Sequence, residues 1–431
     1  MLVKLKFSAA GIFFLAVFFI NGGAFAVESY FGLLLIGIFA FVILWVEGAL
    51  KSKTALYLSA LLVLAAMVLR GLCMDYETLD YQNFLTRWVQ MLKEQGGFKA
   101  LRWNIGNYNV PYLYFLAAFT YLNMRDLYLI KLLSVLFDVI LAWGIMRTVY
   151  VFTNKTAKVL GAFFVTLFLP SVVLNGALWG QCDSIYAAFA VWSVYFALKD
   201  RPILSVCFIA VSFAFKLQAV FLMPVFLIFL FARKIRWYHL AAFPVTYFIV
   251  VLPAILAGRS VKSTLLLYFD QAGTVGDGLN YNSSSVYAFL RSDPADPELL
   301  AKLGILAAFL FLIVLFAFCF VLRKQLSRKV LLTCALLITT AVPFLLPHMH
   351  DRYFFIADVL SVAFAFVVPS LLHVPVLTSF ASLLGYHAYL RMRYLLPMRW
   401  GAAALLIALL TLIGALTVFF SDQAKRKGKR A

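Results

Sequence analysis

Apolar runs of membrane-spanning length recur along almost the whole chain, separated by short polar breaks rather than by soluble stretches. A helix needs about 20 mostly apolar residues to cross a bilayer, so the pattern predicts an all-α, polytopic membrane protein. The first run, Phe7 to Val27, follows Lys4 and Lys6 as a signal peptide would. No small-residue cleavage pattern comes after it, and it is read as a retained helix. Cationic breaks assign the sides. Lys4/Lys6, Lys51/Lys53, Lys155/Lys158, Lys199/Arg201, Arg233/Lys234/Arg236, Arg323/Lys324/Arg328/Lys329 and the tail from Lys425 to Arg430 should face the cytoplasm. Segments 73–108, 178–183, 258–300 and 347–353 then fall on the opposite face.

Parity constrains one stretch further. Between the external segment 73–108 and the internal Lys155/Lys158 lie two apolar stretches, 109–123 and 126–150, and only one can cross. The first is short and contains Pro111, which predicts a re-entrant or half-buried helix. The total becomes about fourteen crossings with both termini cytoplasmic. No internal repeat is visible.

Composition agrees: 65% of residues are hydrophobic, 13% are charged and mean hydropathy is +0.96, more apolar surface than a soluble core absorbs. The formal charge of +19 invites comparison with nucleic-acid binders, but its cations sit in clusters between apolar runs and follow topology instead. Five scattered cysteines imply neither a disulfide framework nor a zinc site.

The candidate chemistry lies on the external segments. The first reads CMDYETLDYQNFLTRWVQMLKEQGGFKALRWNIGNYNVPYLY, with Phe84, Leu85, Trp88 and Leu92 at helical spacing, and predicts an amphipathic interfacial helix ended by Gly96-Gly97. Trp88, Trp103, Tyr108, Tyr112 and Tyr114 suit the headgroup zone. Asp75, Glu77 and Asp80 open this helix, either as N-terminal acids or as reactive ones. In LWGQCDSIY, Gln181 and Asp183 stand at a membrane boundary, where Asp183 is an N-cap or a functional group. Lys216 and Gln218 of FKLQ lie inside an apolar stretch, so Lys216 either snorkels or has a partner. LPHMHDRYFF gathers His348, His350, Asp351, Arg352 and Tyr353. Two histidines and one acid in a turn make a weak metal signal, whereas Arg352 suits a phosphate or carboxylate unless it pairs with an acid structurally. The segment 258–300 carries QAGTVGDGLNYNSSSVYAF, an ordered lid or a connector, and Asn282 begins an Asn-x-Ser sequence.

In this order, DYxxFL…W, GNYNxPYLY, LWGQCDS, FKLQ and HMHDRYFF resemble the bacterial relatives of GPI-anchor mannosyltransferases, in the glycosyltransferase C superfamily, over roughly residues 54–372. The resemblance implies two N-terminal helices (1–53), a catalytic membrane core (54–372), two C-terminal helices (373–420) and a basic tail (421–431). It also implies inverting transfer of mannose or another hexose from a polyprenyl-phosphate donor to a lipid-linked or glycan acceptor at the extracytoplasmic face, without metal or other cofactor. Asp80 would be the general base and Asp75 the second choice. Arg352 and Lys216 would stabilise the leaving phosphate, Gln181, Asp183 and Gln218 would orient sugar or phosphate, and His350, with Tyr353 and Asn282 nearby, would contact the donor. Two positions depart from that pattern: Asp351 stands where the family commonly has Glu, and Val110 where it often has Pro. The rival readings are a lipid-linked saccharide flippase, which internal symmetry would favour, and an acyltransferase built on His350 and Asp351.

Overall fold

The structure, a computed structural model, describes residues 27–268, 276, 278–290 and 295–428, with side chains to residue 424. The first apolar run, most of the QAGTVGDG stretch and the side chains of the basic tail lie outside the described residues. Seventeen helices are named here. They are α1 (Val27–Val46), α2 (Lys53–Gly71), α3 (Thr86–Glu94), α4 (Val110–Phe119), α5 (Asp126–Tyr150), α6 (Thr156–Leu167), α7 (Pro170–Trp179), α8 (Asp183–Leu198) and α9 (Pro202–Phe215), followed by α10 (Val225–Phe231), α11 (Ala242–Leu256), α12 (Val261–Leu265), α13 (Pro297–Val321), α14 (Arg328–Leu345), α15 (Phe355–Val367), α16 (His373–Leu390) and α17 (Arg399–Gly428).

Among the described residues, eight helices are long and apolar enough to cross a membrane, or nine if α6 and α7 form one span bent by 44°. That bend falls at Pro170, which lacks the N–H needed to continue α6. Other apolar stretches are split into shorter helices. Backbone at Lys216 is extended, φ −154° and ψ 135°, and separates α9 from the 3-10 turn Leu217–Phe221 that leads towards α10. The stretch expected to be short is the ten-residue α4, opened by Asn109, whose side chain accepts from Val110 N at 2.8 Å. At about 1.5 Å per residue, ten residues fall well short of a bilayer core of about 30 Å.

α5 is the central helix, buried on most sides against α6, α8 and the π-helical end of α7, Leu174–Trp179. α11 and α13 keep most of their apolar side chains on the outside, as lipid-facing helices do. An ion pair locks the interior. Arg70 at the end of α2 donates from Nε and Nη2 to Asp138 of α5 at 3.0 and 2.8 Å, both side chains fully buried. Its Nη2 also donates to the Leu167 carbonyl at 2.9 Å, and Ser184 of α8 donates to the other Asp138 oxygen at 2.5 Å. The carboxylate is thus paired and hydrogen-bonded, the condition for holding charge away from water. Gly176 meets it with no side chain: a Cβ there would lie 3.1 Å from Asp138 Oδ1.

The segment that follows α2 is anchored by Lys131 of α5, whose ammonium donates to the carbonyls of Cys73, Met74 and Tyr76 at 2.7, 3.0 and 2.6 Å. All three of its protons are used. A π turn, Tyr81–Leu85, then runs into α3, which buries Trp88, Val89 and Leu92, while Gly96 and Gly97 at φ 87° and 65° end it as the sequence suggests. Trp88 and Tyr112 are buried within the protein: Trp88 lies over Gly106, and both rings contact Tyr108 edge-on at 5.4 and 5.1 Å. Trp103 remains exposed. The only strands among the described residues are a parallel pair, β1 (Asn280–Tyr281) on β2 (Met349–His350), which ties the segment between α12 and α13 to the turn before α15.

Replacing Arg70 with Met leaves the buried Asp138 unpaired and is expected to cost about 3–5 kcal/mol. The Arg70→Met/Asp138→Leu pair is expected to recover most of the loss. Thermal unfolding in detergent compares the three proteins, and a single variant melting with the wild type would refute the locking role.

Candidate active site

The turn between α7 and α8, the end of α16 and the turn before α15 converge on Asp80. Gly180, at φ 78°, turns the chain sharply between α7 and α8, a left-handed conformation that favours glycine, so that residues on both sides of it reach the same carboxylate. Trp179 Nε1 and Gln181 Nε2 donate to Asp80 Oδ2 at 2.9 and 2.6 Å, and Tyr389 of α16 donates its hydroxyl to Oδ1 at 2.7 Å. Tyr108 orients the Gln181 amide by donating to its Oε1 at 3.0 Å. Thr78 Oγ1 and Ser134 Oγ donate to the carbonyls of Trp179 and Gln181 at 3.1 and 2.7 Å, fixing the turn to the first external segment and to α5. Although Asp80 precedes the π turn, its side chain does not cap it. A carboxylate has about four lone-pair positions, so three donors leave one free.

A second carboxylate lies behind the first. Asp183, at the start of α8, accepts from Lys216 and, at 2.7 Å, from Asn175 Nδ2. Lys216 therefore does not snorkel: it is buried, paired with Asp183, and 5.7 Å from the ring centres of Tyr108 and Tyr186. Arg352 sits between the acids, 3.6 Å from Asp80 Oδ2 and 3.7 Å from Asp183 Oδ2, with its guanidinium 5.1 Å from the Trp179 ring centre. Those separations exceed hydrogen-bond range, and the buried Nε–H has no acceptor. Arg352 is thus electrostatically held yet keeps a donor unspent. It pairs with these two acids rather than with Asp351.

Glycosyltransferase family 87 matches residues 107–347 of the chain. The chain belongs to that family. It is a membrane glycosyltransferase, which leaves the flippase and acyltransferase readings without support. No curated protein and no solved structure matches it. The family 87 match contains Tyr108, Trp179, Gln181, Asp183 and Lys216, whereas Asp80, Arg352 and Tyr389 lie outside it.

Not every expected residue joins the cluster around Asp80. Asp75 is exposed and accepts from Tyr128 at 2.7 Å, away from Asp80's partners. Asn282, at φ 55°, accepts from Tyr394 at 2.6 Å and bridges His350 through its backbone. His350 stacks on Tyr281 at 4.7 Å and lies 5.2 Å from the Tyr353 ring, which also meets Phe221. Burial first, then the nearby Arg352 and Lys216 charges, push the His350 imidazole down to about 4. Gln218 contributes a buried Oε1 with no partner. Among the described residues, no group of three or more His, Cys, Asp or Glu side chains is arranged to hold a metal ion.

Sequence reasoning missed Trp179, Tyr389, Asn175 and Tyr386. Asn175 Nδ2 also donates to Tyr386 at 3.0 Å, and Trp179 stacks on Tyr389 with ring centres 4.3 Å apart. The signal was faint: an Asn in an apolar helix, and two tyrosines three residues apart in α16.

Asp351 has a different environment. It is buried, its Oδ1 has no partner, and its Cα and Cβ crowd Gly385 of α16. Burial, despite the Arg352 charge, pushes its carboxyl from the ordinary 3.8 up to about 7. The folded protein holds this proton more tightly than the unfolded chain. Its contribution is complete below the ordinary value and is lost as pH rises through about 7. Asp351→Asn should therefore gain stability relative to wild type as pH is raised from about 5 to 8. Melting curves that shift in parallel across that range would contradict this.

Proposed function

We propose that this family 87 enzyme transfers a sugar, mannose or another hexose, from a polyprenyl-phosphate donor to a hydroxyl of a lipid-linked or envelope glycan acceptor, with inversion at the anomeric carbon. The observation that carries the reading is a carboxylate, Asp80, held by three neutral donors beside a guanidinium with an unused N–H. An inverting transfer needs both: a base for the acceptor proton, and positive charge where the leaving phosphate develops its own.

In this mechanism the acceptor oxygen attacks the anomeric carbon while the bond from that carbon to the phosphate oxygen breaks. The acceptor proton passes to Asp80, and polyprenyl phosphate departs with the bonding electron pair. Arg352 and Lys216 counter its charge. Gln181 and Asp183 hold the base and the cations in register, Gln218 offers its unpartnered Oε1 to a hydroxyl, and His350 and Tyr353 line the donor side. The paired cations do not need to be assembled at the moment of reaction, which is the usual source of electrostatic rate enhancement. The likeness to bacterial GPI-mannosyltransferase relatives supports the polyprenyl donor. The positive-inside pattern supports about fourteen crossings, cytoplasmic termini and an extracytoplasmic site.

Asp80→Asn is expected to lower turnover by roughly 10²–10⁴-fold with donor binding nearly unchanged. Arg352→Ala is expected to weaken the donor itself. The assay is sugar transfer by purified protein in lipid with a panel of labelled polyprenyl-phosphate sugars, and full turnover in Asp80→Asn would remove that residue from the base role.

A further inference from the structure

The external end of α11 meets the 3-10 turn Gly97–Arg102 at a buried cation that the reaction does not use. Arg259 is only 4% exposed. Its Nη1 donates to the Trp103 carbonyl at 2.9 Å, while its Nε–H is buried without any acceptor. The preceding Gly258, at φ 103°, lets Arg102 come close: a Cβ on this glycine would stand 3.5 Å from Arg102 Cβ. Arg102 lays its guanidinium over the Trp103 ring, 4.9 Å from the centre. Lys99 precedes Arg102 by one 3-10 turn, and Lys262 follows Arg259 in the first turn of α12.

The two stretches that meet here, 95–109 and 256–268, contain Lys99, Arg102, Arg259 and Lys262 and no Asp or Glu. Among the described residues Arg259 has no ion pair. Burial lowers its pKa, with only the Tyr114 hydroxyl countering. By contrast, the buried Arg70 and Lys216 are each paired with a carboxylate, and the buried Lys131 spends all three of its protons on carbonyls. A buried guanidinium with a spare donor and no counter-charge is a site for an anion from outside the chain. The surroundings are apolar: Trp103, Leu256 and Val261 are 52%, 77% and 49% exposed. An exposed tryptophan beside apolar side chains is the composition of a headgroup boundary.

We infer that Arg259, with Arg102 and Lys262, forms a second anion site that takes the phosphate of an anionic membrane lipid, apart from the Asp80 cluster. Phosphate oxygens would accept from Arg259 Nε and from the two flanking cations, while the acyl chains run along Leu256 and Val261. This site is independent of the reaction proposed above.

Native mass spectrometry of the full chain, released from nanodiscs of phosphatidylcholine mixed with phosphatidylglycerol, tests it. Wild type is expected to retain phosphatidylglycerol preferentially, and Arg259→Gln and Arg102→Gln/Lys262→Gln to lose that preference by roughly fivefold per cation removed. The double variant changes exposed side chains and keeps the test valid if Arg259→Gln fails to fold. Equal retention by wild type and the double variant would overturn the site. Stabilisation by inorganic phosphate in pure phosphatidylcholine, with no preference for phosphatidylglycerol, would overturn the lipid as its occupant.

Discussion

The ion pair between Arg70 and Asp138 is the interaction on which the rest of the structure depends. It sits where neither water nor headgroups reach, so its charges must be satisfied by the chain alone, and that requirement draws α2, α5, α8 and the end of α6 to one point. Gly176 approaches the same carboxylate, which fixes the π-helical end of α7. The turn carrying Trp179, Gln181 and Asp183 follows directly. A polar knot in the interior thereby sets the position of side chains at the surface.

The site itself is a chain of alternating charge. From Lys216 through Asp183 and Arg352 to Asp80, each group faces its opposite, and aromatic rings rather than water occupy much of the space around them. Such an array gains strength from its low-polarity surroundings, but each charge also needs its neighbours. Arg352 is the least committed member, near two carboxylates and hydrogen-bonded to neither. Its position over the Trp179 ring keeps it ready without fixing it in place.

Much of this was readable in the chain. Hydropathy gave the helical membrane class, the shortness of the 109–123 stretch anticipated α4, and Gly96-Gly97 marked the end of α3. The polar residues that punctuate apolar segments, Asp80, Gln181, Asp183, Lys216 and Arg352, are those that meet, because a charge at membrane depth must find a partner. Tyr389, Asn175 and Trp179 were not legible, since tyrosine, asparagine and tryptophan in apolar helices resemble packing or boundary residues until their partners are known. The packing of Trp88 and Tyr112 against Tyr108 was equally illegible, since amphipathic rings do not announce which neighbour they will meet. Asp75 and Asp80 looked alike as acids of one segment, and the Gly180 turn separates them.

The ladder between β1 and β2 has a consequence for how the protein can vary. It joins residues on either side of α13 and α14, closing a long loop with main-chain hydrogen bonds reinforced by the His350–Tyr281 stack, and β2 leads straight into Arg352. Main-chain pairing is largely indifferent to side-chain identity. The segment between α12 and α13 can therefore exchange residues away from the ladder while the pairing keeps its hold on the turn that carries Arg352, so that surface and site can vary separately along one stretch of backbone.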